Sequence, residues 1–415
     1  MGILRPRGWL LAVVAGLFLF STVPAVGADP IADLAAPPRH PAALAATPLG
    51  DRWFDPPPGF GGRGPGTVLA SRAVIVGRLS SAAVSTQLLV RSTDSKNNPV
   101  PVATTVIVPT AAWTGPGARP VVAYNPAIDS LGQACAPSST LPRGEMMEIG
   151  AVQDFLARNY AVVVTDHEGP RQAYAAGRMA GHAVLDALRA AVRTPALGLS
   201  PASRIAVTGY SGGAIASGWA AKLAPTYAPE LNLVGAAFGG TPADYRILLG
   251  SMNGRNGAST VLLAAVLGLA REYPELFGLF SDNGWRLGML AKDLCFAQLA
   301  APGVVAPIPV QAMSDVPDVV NHPIARRVLD ETRMAGRAPT APVFIYQGQQ
   351  DPWIPREGAE RLYDDWCARG ARVRLEEYTG EHVTAAASGA PIAHRWIDDR
   401  LAGVPVPPGC SSVGR

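Results

Sequence analysis

Charge is scarce in this sequence. Asp, Glu, Lys and Arg make up 16% of its 415 residues, and the formal net charge is +3. No Lys/Arg run offers a footprint for a phosphate backbone, so nothing in the composition points to nucleic acid. The six histidines include no His-Glu-x-x-His pair, and the four cysteines include no Cys-x-x-Cys. The usual zinc and dithiol redox motifs are thereby excluded. No Asn-x-Ser/Thr sequon is present. Disorder is excluded too, because 48% of the residues are hydrophobic. The length allows one large domain with an inserted or appended piece, or two domains.

Residues 1–28 read as a secretory signal. Arg5 and Arg7 precede an apolar run over residues 9–20, and Val26-Gly27-Ala28 supplies small residues at the cleavage point. The alternative is an uncleaved membrane anchor. Losing the two arginines would bring the formal charge from +3 to +1. Residues 259–270 are apolar but too short to cross a membrane. In the oxidising compartment that a signal implies, Cys135, Cys295, Cys367 and Cys410 can form two disulfides, with three pairings open.

Residues 29–66, rich in Pro, Gly and Ala, read as an extension lying over the domain. Strand-like runs follow at 72–76, 85–91 and 100–108. From Val121 onward, apolar strands (121–124, 161–165, 204–208, 233–238) alternate with helical stretches near 144–158, 178–192 and 214–223. Continuous apolar strands separated by helices predict an α/β fold, with a mostly parallel sheet covered on both faces. Residues 243–340 contain helical segments, such as 259–271 and 285–299, and no convincing strand. Strands resume at 342–346 and 373–378. The expected layout is therefore a core of 67–242 and 341–403, a helical cap of 243–340 and a tail of 404–415.

The most informative stretch is Gly209-Tyr210-Ser211-Gly212-Gly213, set between a β-branched strand and a small-residue helix. Strand, Gly-x-Ser-x-Gly, helix is the context of a nucleophile elbow, in which glycines permit a sharp turn that exposes the serine hydroxyl. A serine needs a histidine to take its proton and a carboxylate to orient that histidine, and in this fold they follow in the order acid, then histidine. Asp351, in Gln350-Asp351-Pro352 after a strand, fits the acid; Asp364 and Asp365 fall within the next helix and read as solvated. His382, after the last strand, fits the base. His394 belongs to a helix over 391–401, His167 and His182 precede the serine, His322 lies in the cap region and His40 in the extension. Glu381 is too close to His382 in sequence to orient it. One oxyanion donor would be the N–H of Gly212. The other falls in the loop 125–130, where the sequence leaves its identity open.

Several motifs in order resemble the secretory lipases, the lipase-A type of fungi and actinobacteria. They are Gly-Tyr-Ser-Gly-Gly, the segment 124–138 with Asp129 and Cys135-Ala136-Pro137-Ser138, and Asp166-His167-Glu168-Gly169-Pro170. Trp53-Phe54, the Leu185-Asp186-Ala187-Leu188-Arg189-Ala190 helix and the Asp351 and His382 loops join them. The resemblance covers about residues 50–403 and is weakest in the cap. It implies an α/β-hydrolase with a helical cap, acting on acylglycerols and simpler esters, with Ser211, Asp351 and His382 as triad. It also implies Asp129 as second oxyanion contributor beside Gly212, and Cys135 paired with Cys295, which leaves Cys367 with Cys410. No cofactor or metal is implied. The expected activity is secreted or envelope-held ester hydrolysis, with a lipid or ester as the small-molecule partner. An acyltransferase, a serine peptidase of this fold and a binding protein on an inactive scaffold are the alternatives. Contact with a lipid interface and the oligomeric state are left open by the sequence.

Overall fold

The computed structural model describes residues 36–79 and 82–415. The expected signal, residues 1–28, lies outside the described residues, as do residues 29–35 of the extension. Three antiparallel strands come first: β1 (Val68–Val74), β2 (Ala83–Thr93) and β3 (Pro99–Pro109). The turn between β2 and β3 is built by Asp94, whose carboxylate accepts from the backbone N–H groups of Lys96 (2.9 Å) and Asn98 (2.8 Å), with Asn97 at φ 68°.

β4 (Val121–Asn125), α1 (Pro137–Arg143), α2 (Ile149–Ala157), β5 (Ala161–Thr165), α3 (Gly177–Arg193), β6 (Ile205–Tyr210), α4 (Gly212–Tyr227) and β7 (Leu233–Gly239) follow. After a helical stretch come β8 (Val343–Gly348), α10 (Arg356–Ala368), β9 (Val373–Tyr378), α11 (His382–Ala402) and β10 (Ser411–Val413). The strands form one sheet, ordered β1-β2-β3-β5-β4-β6-β7-β8-β9-β10 and parallel from β5 to β10. The central strands read as unbroken apolar runs because both faces are covered: α3, α4 and α10 pack on one, α2 and α11 on the other. This is the α/β-hydrolase fold. The strand order reverses beside β4, so the loops after β4 and β6 meet at the carboxyl edge, where open α/β sheets place their sites.

Between β7 and β8 run α5 (Tyr245–Ser251), α6 (Ser259–Glu272), α7 (Asp282–Ala291), α8 (Phe296–Val305) and α9 (Pro323–Glu331), with no strand. α6 is buried almost all round, as its uninterrupted apolar sequence requires. The stretch 285–299, expected as one helix, is two. The chain breaks at 292–295 because the backbone turns to meet the loop after β4: Leu131 N–H donates to Leu294 O at 3.0 Å and Cys295 bonds Cys135.

Other boundaries differ for equally local reasons. The helix expected near 144–158 is preceded by α1, which ends at Gly144 in the left-handed conformation (φ 69°). α11 begins at His382 rather than Pro391, because the Glu381 carboxylate accepts from the N–H groups of Val383 and Thr384 and caps it. The last residues, expected only as a tail, add β10 alongside β9, anchored by a Cys367–Cys410 disulfide.

Candidate active site

Ser211 joins β6 to α4 with φ 53° and ψ −118°, a conformation that costs a non-glycine residue roughly 1–3 kcal/mol. The flanking glycines are required by the neighbouring strand. A Cβ at 209 would lie 2.5 Å, and one at 213 only 2.0 Å, from the carbonyl oxygen of Asn125 at the end of β4. The elbow is therefore pressed against the β4 loop, with Ser211 N–H held by Gly239 O at 2.9 Å.

The structure brings together the serine, acid and histidine singled out from the sequence. His382 Nε2 lies 3.0 Å from Ser211 Oγ, and Nδ1 lies 2.6 Å from Asp351 Oδ2. A carboxylate only accepts, so Nδ1 carries the hydrogen and Nε2 faces the serine with its lone pair. Asp351 is itself fixed by three further donors: the N–H groups of Trp353 and Ile354 on Oδ1 (2.9 Å each) and Gln347 Nε2 on Oδ2 (3.3 Å). Tyr210 donates its hydroxyl to the backbone carbonyl of His382 (2.6 Å), and the rings of Tyr210 and Trp353 flank the imidazole at 5.0 and 5.2 Å.

The other histidines are engaged elsewhere. His394 pairs with Asp154 (2.8 Å), His182 meets Thr93 O, and the rings of His40 and His322 accept backbone N–H groups at helix starts. Glu381, too close to His382 in sequence to orient it, is exposed and caps α11; bonding to Thr384 and Val383 lowers its pKa.

Asp129 has a left-handed backbone (φ 45°) and a buried carboxyl that meets the Gly212 N–H and the Tyr174 hydroxyl. Burial, then the nearby charge of Glu148, pushes its pKa up to about 7. Sequence reasoning missed how the loop around it is held. Glu148 accepts from the N–H of Ala127 (3.1 Å) and the hydroxyl of Tyr124 (2.6 Å), and Glu168 accepts from the N–H of Ser130 (3.3 Å). Asp166 accepts from Ser138 N (2.8 Å) and Oγ (2.5 Å). His167 Nε2 lies 2.9 Å from Pro126 O, and burial pushes its pKa down to about 4, so the ring is neutral and donates to that carbonyl. Burial raises Asp166 to about 6 and, with the charge of Asp129, lifts Glu168 well above the carboxylate range. The available signal was Asp166-His167-Glu168, three ionisable residues directly after a buried strand.

Cys135 is bonded to Cys295 with their Cα atoms 5.5 Å apart, joining this loop to the start of α8. Ser211, His382 and Asp129 open onto a cavity of about 440 Å³. Its lining is largely apolar and includes Tyr245, Leu248, Val261, Leu262 and Ala265 from α5 and α6. The arrangement sets a serine hydroxyl, an imidazole paired with a carboxylate, and backbone N–H groups beside an apolar chamber.

Residues 138–409 match the family model of the secretory lipases. The chain is 35% identical over 377 residues to a probable inactive lipase, MT1628, of Mycobacterium tuberculosis, covering 86% of this chain and 83% of that protein. It is 32% identical over 383 residues to the secreted triacylglycerol lipase LIP1 of Malassezia furfur, covering 87% and 77%. Among solved structures it resembles Candida antarctica lipase A in its closed state, with a TM-score of 0.80 and 28% identity over 89% of this chain and 91% of that one. The chain belongs to the secretory lipase family, lipase-type hydrolases on the α/β-hydrolase fold.

Proposed function

We propose that the protein is a secreted serine carboxylic-ester hydrolase that cleaves lipid esters and simpler esters through an acyl-enzyme on Ser211. One observation carries the reading: His382 bridges Ser211 Oγ at 3.0 Å and Asp351 at 2.6 Å, beside an apolar cavity. His382 Nε2 takes the hydroxyl proton as Ser211 attacks the ester carbonyl, and returns it to the leaving alcohol. Water then enters by the same route and releases the acid. Such proton transfer contributes roughly 10²–10⁴-fold. The oxyanion is met by the N–H of Gly212 and by Asp129, through its N–H or its protonated carboxyl, with each good donor worth roughly 10²–10³ in kcat.

In this reading residues 243–340 act as the cap, and the α5 and α6 side chains receive the acyl chain. The relation to a secreted triacylglycerol lipase supports acylglycerols as the substrate class, and residues 1–28 as the export signal. A second reading, a non-catalytic protein on this scaffold, is favoured by the likeness to a probable inactive lipase. The complete Ser211, His382 and Asp351 contact speaks against it.

The test is hydrolysis of p-nitrophenyl esters from acetate to palmitate, and of emulsified triacylglycerol, by the unaltered chain and by Ser211→Ala. Turnover that disappears with Ser211 is expected. Its absence for every ester would leave the non-catalytic reading in possession.

A further inference from the structure

Arg271 stands in the last turn of α6, only 6% exposed. Its guanidinium is answered by backbone carbonyls from four separate stretches of chain. Nε donates to Leu44 O (2.9 Å) in the N-terminal segment, and Nη2 to Lys292 O (2.7 Å) after α7. Nη1 donates to Leu131 O (2.7 Å) and, at 3.1 Å each, to Arg171 O and Gln172 O. Burial lowers its pKa to about 10, which leaves it charged at neutral pH.

Leu131 is two residues beyond Asp129. The same short stretch is held from the other side by Leu131 N–H on Leu294 O, Phe296 N–H on Ser130 Oγ (3.0 Å each) and the Cys135–Cys295 bond. Asp129 keeps a backbone conformation unfavourable for a non-glycine residue, and such conformations persist only where their surroundings over-determine them. Arg271 fastens this stretch to the N-terminal segment, the 171–172 turn and the 292–295 break together.

We propose that Arg271 is a positioning residue for the oxyanion loop: by tying Leu131 to these three segments, it holds Asp129 in place beside Gly212. The proposal rests on the reading of Ser211 as nucleophile and of Asp129 and Gly212 as oxyanion contributors. Five N–H donors in a rigid plane can reach carbonyls on several sides at once. A lysine ammonium concentrates three donors at one point and reaches part of the set. Release of Leu131 would let Asp129 drift, and a misplacement of about 1 Å costs roughly 10²-fold in rate.

The experiment compares the unaltered chain, Ser211→Ala, Arg271→Lys and Arg271→Ala on p-nitrophenyl butyrate, with near-UV circular dichroism to establish folding. Inhibition by phenylboronic acid, whose serine adduct presents an oxygen to the oxyanion site, is measured alongside. We expect kcat to fall about 10-fold in Arg271→Lys and about 100-fold in Arg271→Ala, with KM within about threefold. Boronate affinity should fall in parallel, and millimolar guanidinium should restore part of the kcat of Arg271→Ala. Folded variants whose kcat stays within twofold, or whose loss lies wholly in KM, would overturn the proposal. So would failure of both variants to fold with and without guanidinium, which would assign Arg271 to stability alone. Absence of Ser211-dependent turnover in the unaltered chain is a separate result: it removes the functional reading, and this proposal with it.

Discussion

The Asp129 carboxyl fills the space that a side chain on residue 212 would need: Oδ1 lies 1.7 Å from the position of a Cβ there. Glycine at 212 is thus required by this contact. Gly212→Ala would drive the Asp129 carboxyl away and shift the N–H that follows Ser211. We predict a kcat loss of at least about 10²-fold, the cost of one oxyanion donor, on p-nitrophenyl esters. Unchanged kcat would show that neither group meets the oxyanion.

The protonation of Asp129 gives a pH signature. Its carboxyl faces Glu148, Glu168, Tyr174, His382 and the Gly212 N–H, and its pKa stands at about 7. Below that pH the neutral acid donates; above it a carboxylate faces the developing oxyanion. kcat should therefore decline as pH rises through about 7, and Asp129→Asn, a donor at every pH, should abolish the decline. Stability follows the same sign. The folded chain keeps this proton where the unfolded chain, with a carboxyl pKa of about 3.9, has lost it, so stability falls as pH rises from about 4 to about 7. Melting temperatures at pH 5 and pH 8 should show Asp129→Asn gaining on the unaltered chain at pH 8. A kcat that stays flat from pH 6 to 9 would leave the backbone N–H groups as the donors.

The two histidines of α11 separate by role. His382→Ala should lower kcat by roughly 10⁴–10⁶-fold, as loss of a base does where nucleophile and base act as a unit. His394→Ala removes a pairing between the middle of α11 and Asp154 of α2 and should leave kcat within about threefold. Single-turnover kinetics on an activated ester would distinguish a lost base from a slowed product release. Comparable losses in both variants would point to damage to the helix.

What could be read from the sequence was whatever is encoded locally. The Ser211 elbow combines strand, glycines and helix in one run of residues; Asp351 follows the apolar run of β8, and His382 follows β9, a strand marked by Val373, Leu375 and Tyr378 among charged residues. The start of α11 was hidden by Pro391, which in isolation reads as a helix beginning, while the cap that extends the helix to His382 is the exposed Glu381. The supports of the loop after β4 and of Asp351 were hidden for another reason. Arg271 and Glu148, and Gln347 where it meets Thr241, act across sequence separations that leave no periodicity, and a buried polar group meets such partners only once the chain has folded.

Gln347 supplies the sharpest test of such a support. Wholly buried in β8, it accepts from Thr241 N–H (3.2 Å) and donates to Ile354 O (2.7 Å) and Asp351 Oδ2 (3.3 Å). Gln347→Leu would leave a buried N–H and a buried carbonyl unpaired at roughly 1–3 kcal/mol each, and the loss should appear in urea unfolding. Gln347→Glu keeps an acceptor for Thr241 but sets a second carboxyl against Asp351, which favours protonation of one of the pair and weakens its hold on His382. We predict that Leu costs more stability than Glu, whereas Glu costs more kcat relative to its stability loss, by about tenfold. If activity in both variants simply tracked stability, Gln347 would be a packing residue and the orientation of Asp351 would rest on the Trp353 and Ile354 N–H groups alone.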